Sequence, residues 1–332
     1  MTGDGVVRDL LATACPERTV VAVDPIGRGN RKDTALVRFA EGSPLVVQRA
    51  TDRRAIRTEA RLLRAIGERT TVPVPAVPAV HAVGTHDGEA YLLAAHVGGA
   101  DLHERFVDLS RPTRRALVER FGGWLAELHE AFAFEGYGAL TVADGDADGT
   151  DVWRDEGDRT AGLVAERDNW ASWFEEHATA AVERLPAAFD DLRGRLAACV
   201  ADAPEGGSPP ARLYPWDFRP GNALVADGDV QAVLDWEAPL AAPPALSVAT
   251  AEYLVADWYV AESAPLRRAF RAGYERERPY PDPAPAHRVA AIADSAVDSR
   301  SVVTNPRYPE LDREESVAVH RTALKRALAA WE

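Results

Sequence analysis

Leu213-Tyr214-Pro215-Trp216-Asp217-Phe218-Arg219-Pro220-Gly221-Asn222-Ala223-Leu224-Val225, followed after Ala226-Asp227-Gly228-Asp229 by Val230-Gln231-Ala232-Val233-Leu234-Asp235-Trp236, is the most informative stretch of the chain. Pro220 and Gly221 mark its first part as a loop. Two short apolar runs flank Asp227-Gly228, a dipeptide suited to the tight turn of a β-hairpin. Folding at that turn returns Asp235 to the neighbourhood of Asn222. Asp217 and Asn222 lie five positions apart on the same loop, so one site gathers two carboxylates and an amide.

That set matches the needs of phosphoryl transfer. A carboxylate must orient an attacking hydroxyl and accept its proton, a role that fits Asp217. Mg²⁺ prefers one or two carboxylate or amide oxygens with water and phosphate over a full protein cage, which suits Asn222 and Asp235.

Toward the N-terminus, Val6 to Ala14 reads as a short amphipathic helix and Thr19 to Val23 as a strand that enters a turn at Asp24-Pro25. Gly27-Arg28-Gly29-Asn30 forms a glycine loop, and the apolar runs Ala35 to Phe39 and Leu45 to Val47 are strands of an antiparallel sheet. Ile56, Ala60, Leu63 and Ile66 recur at helical spacing between Asp52 and Glu68, so one helix crosses that sheet. Val80 to Val83 and Ala90 to Ala95, joined by a His86-Asp87-Gly88 turn, complete five strands. His96-Val97-Gly98-Gly99 is the expected hinge. Beyond it, Pro112 to Phe132 and Val164 to Leu185 are helical by period, with an exposed acidic loop around Asp144 to Asp158 between them.

Asp217-Phe218-Arg219-Pro220-Gly221-Asn222, with Val233-Leu234-Asp235-Trp236 placing its Asp thirteen residues after the Asn, resembles the catalytic loop and metal motif of aminoglycoside phosphotransferases and choline-kinase-like enzymes. The resemblance extends in order through Gly29-Asn30, Glu59, Leu128-His129, Phe134 to Gly138 and Phe270 to Tyr274. It implies an α+β, two-lobed protein-kinase-like fold. An N-terminal nucleotide-binding lobe, residues 1–97, would be an antiparallel sheet with one crossing helix. A larger, mainly helical lobe, residues 98–332, would carry catalysis and the acceptor. It also implies Mg²⁺, ATP or GTP as donor, and transfer of the γ-phosphate to a hydroxyl of a small molecule.

Two departures from the family pattern stand out. Where members usually carry His-Gly-Asp, this chain has Pro215-Trp216-Asp217; Pro215 would stiffen the loop and Trp216 pack into the helical lobe. The third strand also lacks the lysine that kinases pair with the nucleotide phosphates and a helix Glu; the candidates there are Gln48 and Arg49, and the reading favours Arg49 paired with Glu59. The nucleotide site is then assigned to Gly27, Gly29, Asn30, Arg49 and Glu59, with Arg219 placed to steady the transferring phosphoryl group. These departures also keep open a nucleotide-binding pseudokinase with a regulatory role. A protein kinase is disfavoured because no Ala-Pro-Glu element follows Asp235.

Composition sets the outer bounds. The 332 residues carry a formal net charge of -14, which argues against a nucleic-acid partner. Only Lys32 and Lys325 are lysines. Cys15 and Cys199 have neither disulfide nor zinc spacing. No signal pattern and no long apolar run is present, so a cytoplasmic protein away from membranes is expected. His129, at the end of an apolar helix, is read as a packed structural residue, and Trp170, Trp173, Trp258 and Tyr259 as core.

Overall fold

The computed structural model describes residues 3–26, 32–81, 89–143, 160–203 and 207–332. Gly27, Gly29 and Asn30, the His86-Asp87-Gly88 turn and the Asp144 to Asp158 loop lie outside them.

The first elements are α1 (Gly3–Ala14), β1 (Val20–Ile26), β2 (Asp33–Phe39), β3 (Leu45–Ala50), α2 (Arg53–Arg69), β4 (Ala79–His81) and β5 (Ala90–Ala95). The five strands form one antiparallel sheet in the order β1-β2-β3-β5-β4. Strand alternation gives the sheet two distinct faces. Leu45 and Val47 of β3 join Val37, Phe39, Tyr91 and Leu93 in a small core sealed by Val7, Leu10 and Leu11 of α1. Ala50 and Leu92 belong to the other face, which packs on Ile56, Ala60 and Leu63 of α2 as part of the main core. The Asp52 side chain caps α2 by accepting from the Ala55 amide at 2.9 Å, and the buried stripe of this helix includes Glu59.

The chain continues through β6 (Ala100–Asp101), α3 (Leu102–Arg105), α4 (Arg111–Ala131), β7 (Ala133–Phe134), β8 (Tyr137–Val142), β9 (Leu163–Arg167), α5 (Trp170–Arg184), α6 (Asp190–Ala201) and β10 (Ala211–Tyr214). It ends with β11 (Ala223–Ala226), β12 (Asp229–Val233), β13 (Leu240–Ala242), α7 (Pro244–Glu252), α8 (Ala264–Glu275), α9 (Pro285–Ser295) and α10 (Arg313–Ala329). The fold is α+β, with an antiparallel sheet preceding a predominantly helical remainder. Two further sheets thread those helices, β7-β10-β13-β8-β9 and β12-β11-β6.

The expected helix from Val164 divides in two. Leu163 to Arg167 pair with β8 as a strand, with Leu163 inward and Val164 half exposed. The helix starts only at Trp170, where the Asn169 side chain accepts from the Ser172 amide at 2.9 Å. A cap residue in extended backbone terminates the strand and opens the helix.

α4 and α8 cross with their backbones in contact. A Cβ on Gly122 would collide with the carbonyl oxygen of Phe270, and one on Gly273 with that of Glu119. Backbone cannot yield as a side chain can, so Gly273→Ala is expected to destabilise the protein by about 3 kcal/mol, the upper end of overpacking costs. Urea unfolding measures this; a loss below about 1 kcal/mol would mean that the helices separate freely.

Candidate active site

The catalytic segment is held from three directions. Phe218 is buried against the rings of Phe121 and Trp236, with centroids at 5.0 and 6.0 Å. Pro220 opens a single 3₁₀ turn, Pro220–Asn222, closed by the Asn222 amide on Arg219 O at 3.0 Å. Gly221 lies so close to Tyr259 that a Cβ would sit 2.8 Å from the phenol oxygen.

From this turn β11 leads directly into the hairpin with β12, which reverses at Asp227 (φ 53°) and Gly228 (φ 83°), the left-handed pair that a tight hairpin requires. Ala223 stands opposite Val233, and the Leu234 amide donates to Asn222 O at 2.6 Å. Asp235 follows with φ 62°. A non-glycine residue in that region is strained, and such strain clusters at functional sites.

Within the loop, the Asn222 Nδ2 donates to Asp217 Oδ2 at 2.8 Å and to Asp217 O at 2.9 Å, leaving the amide oxygen of Asn222 available. Arg219 Nε is 2.7 Å from Asp217 Oδ1, and its guanidinium lies 5.5 Å over the Trp258 ring. Burial opposes the Arg219 charge, but Asp217, Tyr259 and Asp235 outweigh it and raise its pKa. Asp217, Asn222 and Asp235 are therefore brought together as the spacing predicts. In this structure Arg219 is committed to Asp217.

A lysine meets Glu59 from outside β3. Lys32, immediately before β2, forms an ion pair with Glu59 of α2 and a second with Glu237, Nζ to Oε2 3.1 Å. Burial works against the ammonium, but the two carboxylates prevail and raise its pKa. The expected Arg49–Glu59 pair does not form. Arg49 shares the α1 face with Leu45 and Val47 and pairs with Asp33 at 2.8 Å and Glu89 at 3.3 Å. Strand alternation puts Gln48 on the α2 face, where its Oε1 is buried without a hydrogen-bond partner among the described residues.

Sequence reasoning missed two residues of the cluster. Lys32 carried a signal, being one of only two lysines and following the glycine loop directly. Glu237, two residues beyond Asp235, had none. Its backbone carbonyl accepts from Trp216 Nε1 at 3.3 Å, so the residue that departs from the family pattern ties the catalytic loop to the segment carrying Asp235. His129 is structural as expected, fully buried between Tyr274 OH (2.8 Å) and Ser247 Oγ (3.0 Å).

A sequence profile of the phosphotransferase enzyme family matches residues 22–287. The chain belongs to that family. Solved structures share its fold. A putative aminoglycoside phosphotransferase from Ralstonia eutropha JMP134 aligns over 99% of this chain and 97% of its own at 17% identity, TM-score 0.64. A thermostable mutant of aminoglycoside phosphotransferase APH(4)-Ia, in complex with AMP-PNP and hygromycin B, aligns over 98% of both chains at 13% identity, TM-score 0.61. The streptomycin–ATP complex of APH(2")-IIa aligns over 89% of this chain and 88% of its own at 14% identity, TM-score 0.54. Among curated proteins, none matches this phosphotransferase in sequence. No helix among its described residues is long and apolar enough to cross a membrane.

Asp235 is open to the cleft yet enclosed by enough protein for its pKa to rise to about 6, through desolvation and then the charges of Glu237, Asp217 and Glu59, which Lys32 only partly offsets. A carboxyl whose pKa is higher in the fold than in the unfolded chain costs stability once ionised. That penalty is absent near pH 4 and complete above about pH 6. Asp235→Asn removes it. Without nucleotide or metal, the variant is expected to melt above the parent at about pH 7.5 and level with it near pH 4, read by scanning fluorimetry. A gap independent of pH would contradict carboxylate crowding as the cause.

Proposed function

We propose that this phosphotransferase is a Mg²⁺-dependent kinase that moves the γ-phosphate of ATP or GTP to a hydroxyl group of a small molecule. The observation that carries the reading is the hydrogen-bonded Asp217–Asn222 pair with Asp235 returned beside it by the hairpin, in a chain of this family.

Asp217 is assigned as the group that orients the acceptor hydroxyl and takes its proton. Arg219 and Asn222 hold its carboxylate in place. Arg219, from the same position, is assigned to steady the transferring phosphoryl group. Asn222 and Asp235 are assigned as metal ligands. The donor set fits: one free amide oxygen and one carboxylate that its neighbours leave short of positive charge. Bound there, the ion would neutralise charge on the nucleotide phosphates. Lys32, rather than Arg49, is assigned to the phosphates, oriented by Glu59, with the backbone of Gly27, Gly29 and Asn30 completing the nucleotide site. Residues 1–97 and 98–332 are taken as the two lobes flanking it. The pseudokinase alternative rested on a missing lysine and a missing loop histidine; Lys32 and the Trp216–Glu237 bond weaken both grounds.

Mg²⁺-dependent turnover across a panel of hydroxylated metabolites, with phosphate gain read by mass spectrometry, tests the assignment. Asp217→Asn is expected to lower turnover between about 10²- and 10⁴-fold while nucleotide affinity by calorimetry stays within about twofold. Retained turnover would remove Asp217 from the chemistry. Lys32→Met is expected to lower kcat/KM for the nucleotide by about tenfold or more, and Arg49→Gln to leave it nearly unchanged. The reverse order would return the phosphate role to Arg49.

A further inference from the structure

Charged side chains that phosphoryl transfer leaves unused gather among the C-terminal helices. Where α7, α8, α9 and α10 meet the π-helical turn Tyr253–Asp257, a cavity of about 270 Å³ is lined by Arg267, Arg271, Arg288, Arg326, Glu252 and Asp257. Arg271 Nε and Arg288 Nη1 each lie 2.8 Å from one oxygen of the fully buried Glu252. Arg267 Nη1 lies 2.7 Å from one oxygen of Asp257, and Arg326 Nη1 3.5 Å from the other. These bonds hold Glu252 below its ordinary pKa, although burial alone would raise it.

Three features distinguish this network from a structural staple. Four guanidiniums surround two carboxylates, so the lining carries two surplus positive charges in a chain whose net charge is -14. Asp282 also acts on Arg271, but it does not line the cavity. Taking surplus cations partly out of water is costly, and balanced pairs would hold the helices together without that cost. Next, beside Arg326 the same wall carries only Ala323 and Ala327 of α10 and the adjoining Ala330, small side chains that leave the space between the guanidiniums unfilled where interiors ordinarily close up. Last, the wall that carries Asp257 is a π-helical turn, a rare form frequent at functional sites. It runs directly into Trp258 and Tyr259, which lie against Arg219 and Gly221.

We propose that this cavity is a second binding site, separate from the nucleotide cleft, for the phosphate group of a small ligand. Each guanidinium presents five N–H donors in a planar fork and spends one or two on its carboxylate. The remaining donors match the several oxygens and the double charge of a phosphate or phosphomonoester. The ligand is recognised by that group, either as free inorganic phosphate or as a phosphomonoester.

The test is calorimetry on the full chain with the nucleotide cleft already saturated with Mg²⁺ and AMP-PNP, whose γ-phosphoryl group fills the position that ADP would leave open, so that injected inorganic phosphate reports only on the second site. Saturable binding is expected, weakened at least about tenfold by Arg326→Ala, which removes a rim cation, and by Ala327→Leu, which fills the cavity and leaves its charge unchanged. Affinity for ADP should remain that of the parent in both variants. Methyl phosphate binding as well as inorganic phosphate would identify a phosphomonoester site; binding of inorganic phosphate alone would identify a phosphate site. Absence of saturable heat in the parent chain, or equal heat in all three proteins, would reduce the cluster to a structural ion-pair network and overturn the proposal.

Discussion

Too many carboxylates for the cations beside them is the condition around which the catalytic cleft is organised. Asp217, Asp235, Glu59 and Glu237 converge on Lys32 and Arg219. Each cation is held charged by carboxylates, yet neither is sufficient for the acids around it. Burial pushes Glu59 upward despite its bond to Lys32, and Asp235 follows for want of a partner of its own. Charge repulsion of this kind is unfavourable to the fold, and a cation bound among the carboxylates, as proposed for Mg²⁺, would relieve it.

The scaffold resists that repulsion through connections that cross sequence distance. α2 holds Glu59 in the main core, and its Thr58 hydroxyl accepts from the Val142 amide at 3.2 Å. The same helix is thereby fixed to both the first sheet and the second. The hairpin supplies Asp235, the buried Phe218 ring anchors the loop between α4 and Trp236, and Trp216 bonds to the backbone of Glu237. The Trp216 indole packs against the main core, as the reading of the loop expects, and also ties the Asp217 loop to the segment that carries Asp235.

The lysine that pairs with Glu59 was not legible in the pattern of β3. Arg49 was the natural substitute for a missing β3 lysine, since it stands in the right strand and carries the right charge. Which face of β3 is inward, however, depends on whether Val46 or Val47 is buried. Both are valine, so pattern alone is symmetric. Burial of Leu45 and Val47 against α1 settles it, and Arg49 goes with them. Lys32, just before β2, meets Glu59 instead. The strand at Leu163 to Arg167 escaped for a related reason: its apolar residues continue the helical period of α5, and only pairing with β8 makes it a strand.

What the sequence by itself determined was local and ordered: the Asp217–Asn222 loop, the Asp227-Gly228 reversal that returns Asp235, the α2 stripe that carries Glu59, and the alternation of strands and helices that names the fold. These follow from turn chemistry and hydrophobic period, which act over a few residues. Tertiary structure alone decided which side chains meet across elements: Lys32 with Glu59 and Glu237, Trp216 with the Glu237 carbonyl, Arg219 with Asp217, and four arginines around Glu252 and Asp257. Charge pairing is set by distance in space, and distance in space is fixed only when sheets and helices have packed their apolar faces.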